Sequence, residues 1–286
     1  TTKLYGVQES DSSSAVMIDL SSPTKGSQVA ELVNASGPCH ICQWGAYVFT
    51  ANYGSGSLSI LKQEGSTLKY LRDIQHEGEG PNRDRQSSAH THWVGISADE
   101  KYLFAVDLGC DAIFSYNLEE LVGKASSDAN IEAESVFYFP PGTGPRHLVM
   151  SPDQKHAYVA GELSAEIFAL SYKDGVYELI EKHDVSSKRP SDSFSSDEIA
   201  PAAIRMTQDG RHVLISVRGS DQLWSFKRDE NSGRLTFVDQ KHVVGIWPRD
   251  FNLLSDDETI IVANERSHSL NVLSLDSETG LLEASD

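Results

Sequence analysis

The feature that most constrains this chain is an internal repeat. Four stretches of its 286 residues, 97–107, 151–161, 207–217 and 254–264, share one pattern, a polar turn centred on an Asp followed by an apolar run. A fifth copy with a shorter turn occupies 44–52, and 3–9 matches only the end of the unit. Counted at the last residue of each copy, the steps are 43, 55, 54, 56 and 47 residues. A second β-rich run follows each copy, such as Ile167-Phe168-Ala169-Leu170, and a third follows most of them, such as Tyr177-Glu178-Leu179-Ile180. Helical periodicity is nearly absent, with only 117–124 arguable. Each copy therefore reads as four antiparallel strands, A to D, separated by turn signals. Four-stranded units at this period specify an all-β chain, a β-propeller, in which radial repetition removes exposed sheet edges. A pair of β-sandwiches is the alternative, but sandwiches do not generate in-register copies at near-constant spacing.

Length alone would allow one domain or two, and the repeat makes 1–286 a single propeller domain. At this period seven blades would take about 357 residues. About six blades are visible, so the expectation is either that part or all of the first blade and the closing strand are missing, or that the ring closes with six. The insertions at 77–88 and 186–197, rich in Ser, Pro, Arg and Asp, fall between a D strand and the next A strand and read as loops. With 24 basic and 42 acidic residues the net charge is −18, which opposes general binding to nucleic acid or anionic membranes. No stretch approaches the roughly 18 apolar residues of a membrane span, and 1–14 is too polar for a secretory signal. Three cysteines, Cys39, Cys42 and Cys110, are too few for a disulfide framework and point to a reducing cytoplasm.

Hairpin arithmetic locates side chains, because residues equidistant from a turn face each other. It sets His92 beside Asp107 and Leu108, Arg146 beside Gly161 and Glu162, Ala202 beside Val217 and Arg218, and Arg249 beside Asn264 and Glu265. The starts of the A strands carry Cys39, His92, Arg146, Ala202 and Arg249. The ends of the B strands carry Tyr53, Leu108, Glu162, Arg218 and Glu265. Strand A is innermost in a blade, so these positions are expected to ring one mouth of the central channel. A structural repeat needs no such charge. Arginines, a histidine and two glutamates converging within a −18 protein suit an anion site with an acid/base group. The plainer alternative is a set of ion pairs locking adjacent blades.

Other motifs carry less. Cys39 and Cys42 have Cys-x-x-Cys spacing but no second pair, which fits buried thiols on strand A better than zinc. His90 and His92 share a strand face but have no third ligand at clear spacing. Gly54-Ser55-Gly56 and Gly142-Thr143-Gly144 lead into no helix and read as turns. Trp93, Trp224 and Trp247 fit packing better than a nucleic-acid stacking platform. Nothing in the pattern asks for a cofactor or metal.

Taken together, Ala51-Asn52-Tyr53-Gly54-Ser55-Gly56-Ser57, His90-Thr91-His92, Asp107-Leu108-Gly109-Cys110-Asp111, Gly144-Pro145-Arg146-His147-Leu148, Glu162-Leu163-Ser164, Val217-Arg218-Gly219 and Trp247-Pro248-Arg249-Asp250-Phe251 resemble the seven-bladed propeller lactonase family. That family includes bacterial 6-phosphogluconolactonases and a fungal muconate-lactonising enzyme. The resemblance spans nearly the whole chain. It implies a catalytic cluster at His92, Glu162, Arg146 and Arg218, with Arg249, His147, Asn52, Asp107 and Arg205 as substrate contacts. The chain departs from the family pattern at Gly161 and Val217, where Asn is common, and at Thr91, where Pro is frequent. The activity implied is hydrolysis of a small anionic sugar lactone, 6-phosphogluconolactone, a cytoplasmic step of the pentose phosphate pathway. His92 is expected to act as base, with Glu162 orienting it or an arginine, and the reverse assignment stays open. The alternatives are hydrolysis of another lactone, muconate-type lactonisation, and a non-catalytic propeller that binds a protein on one face.

Overall fold

The computed structural model describes residues 3–10, 13–21, 27–32, 35–186 and 199–284. The loop expected at 186–197 lies, from residue 187 on, outside the described residues. The chain divides into two compact units, Thr1–Gly144 and Pro145–Asp286.

In the first unit, β1 (Lys3–Gln8), β2 (Ser14–Asp19) and β3 (Ser27–Glu31) form a three-stranded sheet, the B, C and D strands of the partial copy. A four-stranded sheet follows in the order β4 (Pro38–Trp44), β5 (Tyr47–Asn52), β6 (Ser57–Glu64), β7 (Thr67–Gln75). The next contains β8 (Thr91–Ile96), β9 (Tyr102–Asp107), β10 (Ala112–Asn117) and β11 (Ser135–Tyr138). Helix α1 (Leu118–Lys124) interrupts this sheet between β10 and β11, where Asn117 caps it by accepting from the Glu120 N–H at 3.1 Å. The second unit holds three four-stranded sheets: β12 (Pro145–Met150) to β15 (Val176–Asp184) with β13 (His156–Gly161) and β14 (Glu166–Lys173) between; β16 (Ala200–Met206), β17 (His212–Arg218), β18 (Gln222–Arg228) and β19 (Leu235–His242); and β20 (Pro248–Leu253), β21 (Thr259–Asn264), β22 (Ser269–Leu275) and β23 (Leu282–Ala284). All pairings are between sequence neighbours and antiparallel.

The repeat's turn has a physical explanation. Asp99, Asp153 and Asp209 each accept a hydroxyl from the Ser or Thr two residues earlier, at 2.7, 2.6 and 2.6 Å, and a backbone N–H two residues later. The same Ser or Thr oxygen accepts the first N–H of the next strand, Tyr102, His156 or His212, at 3.0 Å. Between the sheets lie separate apolar layers. Phe49, Leu58, Ile60, Val94 and Leu103 fill one in the first unit, and Ile204, Ile215, Trp224 and Phe226 with Tyr158 and Ile167 fill one in the second. Each such side chain contributes roughly 1.5–3 kcal/mol by leaving water. Gly233 must be glycine on two counts: its φ is +71°, and a Cβ there would sit 2.2 Å from the His156 ring.

One irregularity places the candidate residues at the starts of the A strands. In each four-stranded sheet the innermost strand carries an extra residue near its start. Pro38 pairs with Asn52 and His40 with Ala51, leaving Cys39 bulged. Thr91 pairs with Asp107 and Trp93 with Val106, leaving His92. Pro145 pairs with Gly161 and Leu148 with Val159, so Arg146 and His147 oppose one residue; Arg249 is bulged in the same way between Pro248 and Asp250. A β-bulge re-aims the side chain it carries.

Candidate active site

In the second unit, Arg146 and Arg218 meet at one carboxylate. The Arg146 Nε lies 3.0 Å from Glu162 Oε2, and the Arg218 Nη2 lies 2.8 Å from the same oxygen. All three side chains are at most 6% exposed. Backbone carbonyls hold the guanidinium groups from behind: Arg146 donates to Ala202 O at 2.9 Å, and Arg218 to Ala200 O at 3.1 Å and Pro201 O at 3.2 Å. These carbonyls belong to the start of β16, so the bulge there helps aim both arginines. His147 places its Nε2 3.1 Å from Arg146 Nη1. Two fixed cations sharing one anion leave a net positive centre in a buried setting, where charge-assisted hydrogen bonds are strong. Such a centre can receive an anion or a developing alkoxide.

Trp247 and Arg266, which sequence reasoning did not assign to the site, adjoin this cluster. The Arg218 guanidinium carbon lies 5.5 Å from the Trp247 ring centre, and that of Arg266 lies 3.4 Å from it. The Trp247-Pro248 step before a bulged strand is the signal that marks this corner.

In the first unit, His92 is buried beside Cys39, whose Sγ is 3.8 Å from Nδ1, and meets the Tyr53 ring edge-on at 5.5 Å. His90 stacks on Tyr53 at 4.5 Å, and its Nδ1 lies 2.7 Å from Tyr53 O. The 77–88 insertion contributes Arg85, which donates to the Tyr53 hydroxyl at 3.2 and 3.3 Å. Asp107 ties this segment down. It accepts N–H groups from His90 at 2.8 Å and from Gly109 and Cys110 at 3.0 Å, plus the Thr91 hydroxyl at 2.9 Å. His76 Nδ1 lies 2.8 Å from the same carboxylate, and its Nε2 lies 3.0 Å from the Tyr116 hydroxyl. Burial alone would raise the Asp107 carboxyl, but the His76 hydrogen bond and charge and the His90 and Cys110 N–H groups outweigh it and hold it below the usual carboxylate range.

The other candidate substrate contacts are placed as follows. Asn52 bonds Thr50, Ser57 and Ser59 within its own sheet at 2.8–3.1 Å, and with Asp107 it serves the turns rather than an open surface. Arg249 pairs with Glu265 at 3.1 Å on the surface. Arg205 pairs with Leu214, at the opposite end of β16 and β17 from the Ala200–Arg218 pair, and binds Asp250 at 2.9 Å, away from Glu162. Among the described residues no group of three or more His, Cys, Asp or Glu could hold a metal ion. Cys39, Cys42 and Cys110 form no disulfide with one another, and burial pushes the Cys42 thiol up to about 12.

Four-stranded antiparallel sheets in sequential order define a β-propeller, and in its second unit a buried cluster of two arginines and a glutamate marks the candidate site. The chain belongs to the seven-bladed β-propeller lactonase family, whose description, "Lactonase, 7-bladed beta-propeller", matches residues 1–286. It is 34% identical over 288 residues to the 6-phosphogluconolactonase of Bacillus subtilis (strain 168), an alignment covering 98% of this chain and 79% of that protein. A solved Pseudomonas aeruginosa periplasmic gluconolactonase superposes with a TM-score of 0.84 at 27% identity, covering 99% of this chain and 80% of that one. A putative 6-phosphogluconolactonase from Bacteroides fragilis NCTC 9343 gives a TM-score of 0.82 at 27% identity, with the same coverage of both chains.

Proposed function

We propose that the protein hydrolyses 6-phosphogluconolactone to 6-phosphogluconate in a reducing cytoplasm, as a step of the pentose phosphate pathway. The observation that carries the chemistry is the buried Arg146–Glu162–Arg218 cluster. Water adds to the lactone carbonyl, the ring C–O bond then breaks, and the departing ring oxygen takes a proton. The two guanidinium groups stabilise the alkoxide formed in the first step, with Glu162 fixing their orientation so that little reorganisation accompanies the reaction. Glu162 is already engaged as counter-ion, which favours the assignment of His92 as the proton acceptor. The Bacillus relative supports the substrate. A second reading, hydrolysis of an unphosphorylated sugar lactone, is favoured by the Pseudomonas neighbour named a gluconolactonase.

A lactone panel separates these readings. Purified protein is expected to hydrolyse 6-phosphogluconolactone well above the spontaneous rate, and with higher kcat/KM than glucono-δ-lactone or a muconolactone. Equal or greater turnover of the unphosphorylated sugar lactone would favour the second reading. No turnover of any lactone would leave a binding scaffold.

A further inference from the structure

We propose that Arg266, stacked on Trp247, is the residue that selects for a phosphate on the substrate. The inference rests on the lactone reading above and adds the group that reads the anionic substituent.

Three observations carry it. First, the Arg266 guanidinium carbon is 3.4 Å from the Trp247 ring centre, close enough for the planar group to lie against the indole. Stacking uses the face of a guanidinium and leaves its N–H edge available, which is the edge that binds phosphate bidentately. Second, Arg266 is exposed, and among the described residues no carboxylate lies within ion-pair range of it; its backbone N–H donates to Ile246 O at 3.2 Å. Neighbouring arginines differ, since Arg249 is matched by Glu265, and Arg146 and Arg218 share Glu162. Third, Trp247 has a φ of +69°, a conformation costly for a bulky residue. The Trp247 N–H donates to Asp221 Oδ1 at 2.8 Å, and its carbonyl accepts from Glu265 N at 2.9 Å, so the backbone is held there from two sides. The strained residue presents one ring to both Arg218, which binds Glu162, and Arg266. The platform thus links the cluster proposed to bind the reacting carbonyl with a pre-oriented, unmatched cation. Pre-orientation lowers the entropy lost when an anion docks.

The test measures selectivity, defined as kcat/KM for 6-phosphogluconolactone divided by that for glucono-δ-lactone. Arg266→Ala is expected to lower this ratio at least tenfold, mainly through KM for the phosphorylated lactone. Arg266→Lys is expected to recover only part, because lysine keeps the charge and loses the fork and the stacking. An unchanged ratio in Arg266→Ala overturns the proposal. Should the wild type hydrolyse no lactone, the functional reading fails separately, and inorganic phosphate still tests the site. Millimolar phosphate should raise the Tm of the wild type and not that of Arg266→Ala, and equal shifts in both would overturn it.

Discussion

Glu162→Gln is expected to be among the most destabilising single substitutions in the protein. The change removes one negative charge and almost no volume, so packing is preserved and electrostatics decides the outcome. Arg146 and Arg218 each approach the same Glu162 oxygen, at 3.0 and 2.8 Å, and all three side chains are buried. Without the carboxylate, two guanidinium groups face each other away from water with no counter-charge. Breaking a buried ion pair from one side typically costs about 3–5 kcal/mol, and here the loss strands two cations rather than one. Chemical denaturation should therefore show a lowered midpoint with an unchanged m-value. Adding Arg218→Met to Glu162→Gln should recover part of the loss, because it removes one stranded charge. Sulfate or phosphate should stabilise Glu162→Gln more than the wild type, since an anion can replace the missing one. Losses that add in the double variant would show that the charges are not coupled.

Asp107→Ala is expected to be nearly as damaging, in the first unit and for a different reason. Asp107 accepts three backbone N–H groups and the Thr91 hydroxyl, and faces His76. Alanine leaves these buried donors without their acceptor, at about 1–3 kcal/mol each. Several kcal/mol should be lost, and kcat should fall too, because the anchored segment carries His92, the proposed proton acceptor. The carboxyl's depressed pKa gives a pH signature. The folded state holds Asp107 ionised below the value of an unfolded aspartate, about 3.9. Its contribution is therefore present above that pH and lost as pH falls through the folded pKa. Wild-type stability should drop below about pH 4, and Asp107→Ala should show a shallower acid limb. An equally steep limb in the variant would assign the acid sensitivity to other groups.

The blades were legible because their signal is local. The Ser/Thr-x-Asp turns close on themselves, and the apolar runs after them bury on both faces, as in His156–Gly161, where all six residues are buried. The same locality made 117–124 readable as the helical exception. Hairpin arithmetic came within one residue of the inner-strand positions, setting His92 beside Asp107 where Thr91 stands. The arithmetic assumes a regular ladder, and a bulge breaks that assumption. Pro38, Pro145, Pro201 and Pro248, each just before the irregularity, are the signal that reveals it, since proline lacks the N–H a regular ladder needs.

The resemblance puts Asn52 and Asp107 among the substrate contacts, while their hydrogen bonds in the structure run to neighbouring strands and turns, which only coordinates reveal. Arg205 is likewise a contact the resemblance implies, and its register, opposite Leu214, takes it to the far end of the strand from Arg218. Trp247 went unassigned because its contact with Arg218 crosses from one sheet to the next, a relation no single repeat encodes, and Arg266 joins the corner only through the same ring.

The buried arginines are the groups proposed to stabilise the reaction's developing charge. The most direct test is steady-state hydrolysis of 6-phosphogluconolactone by the wild type and by Arg146→Ala, with folding of both verified. Removing a positioned donor to a developing oxyanion typically lowers the rate about 10²–10³-fold, and kcat/KM is expected to fall by at least that lower figure. Equal kcat/KM in the two proteins would contradict the assignment.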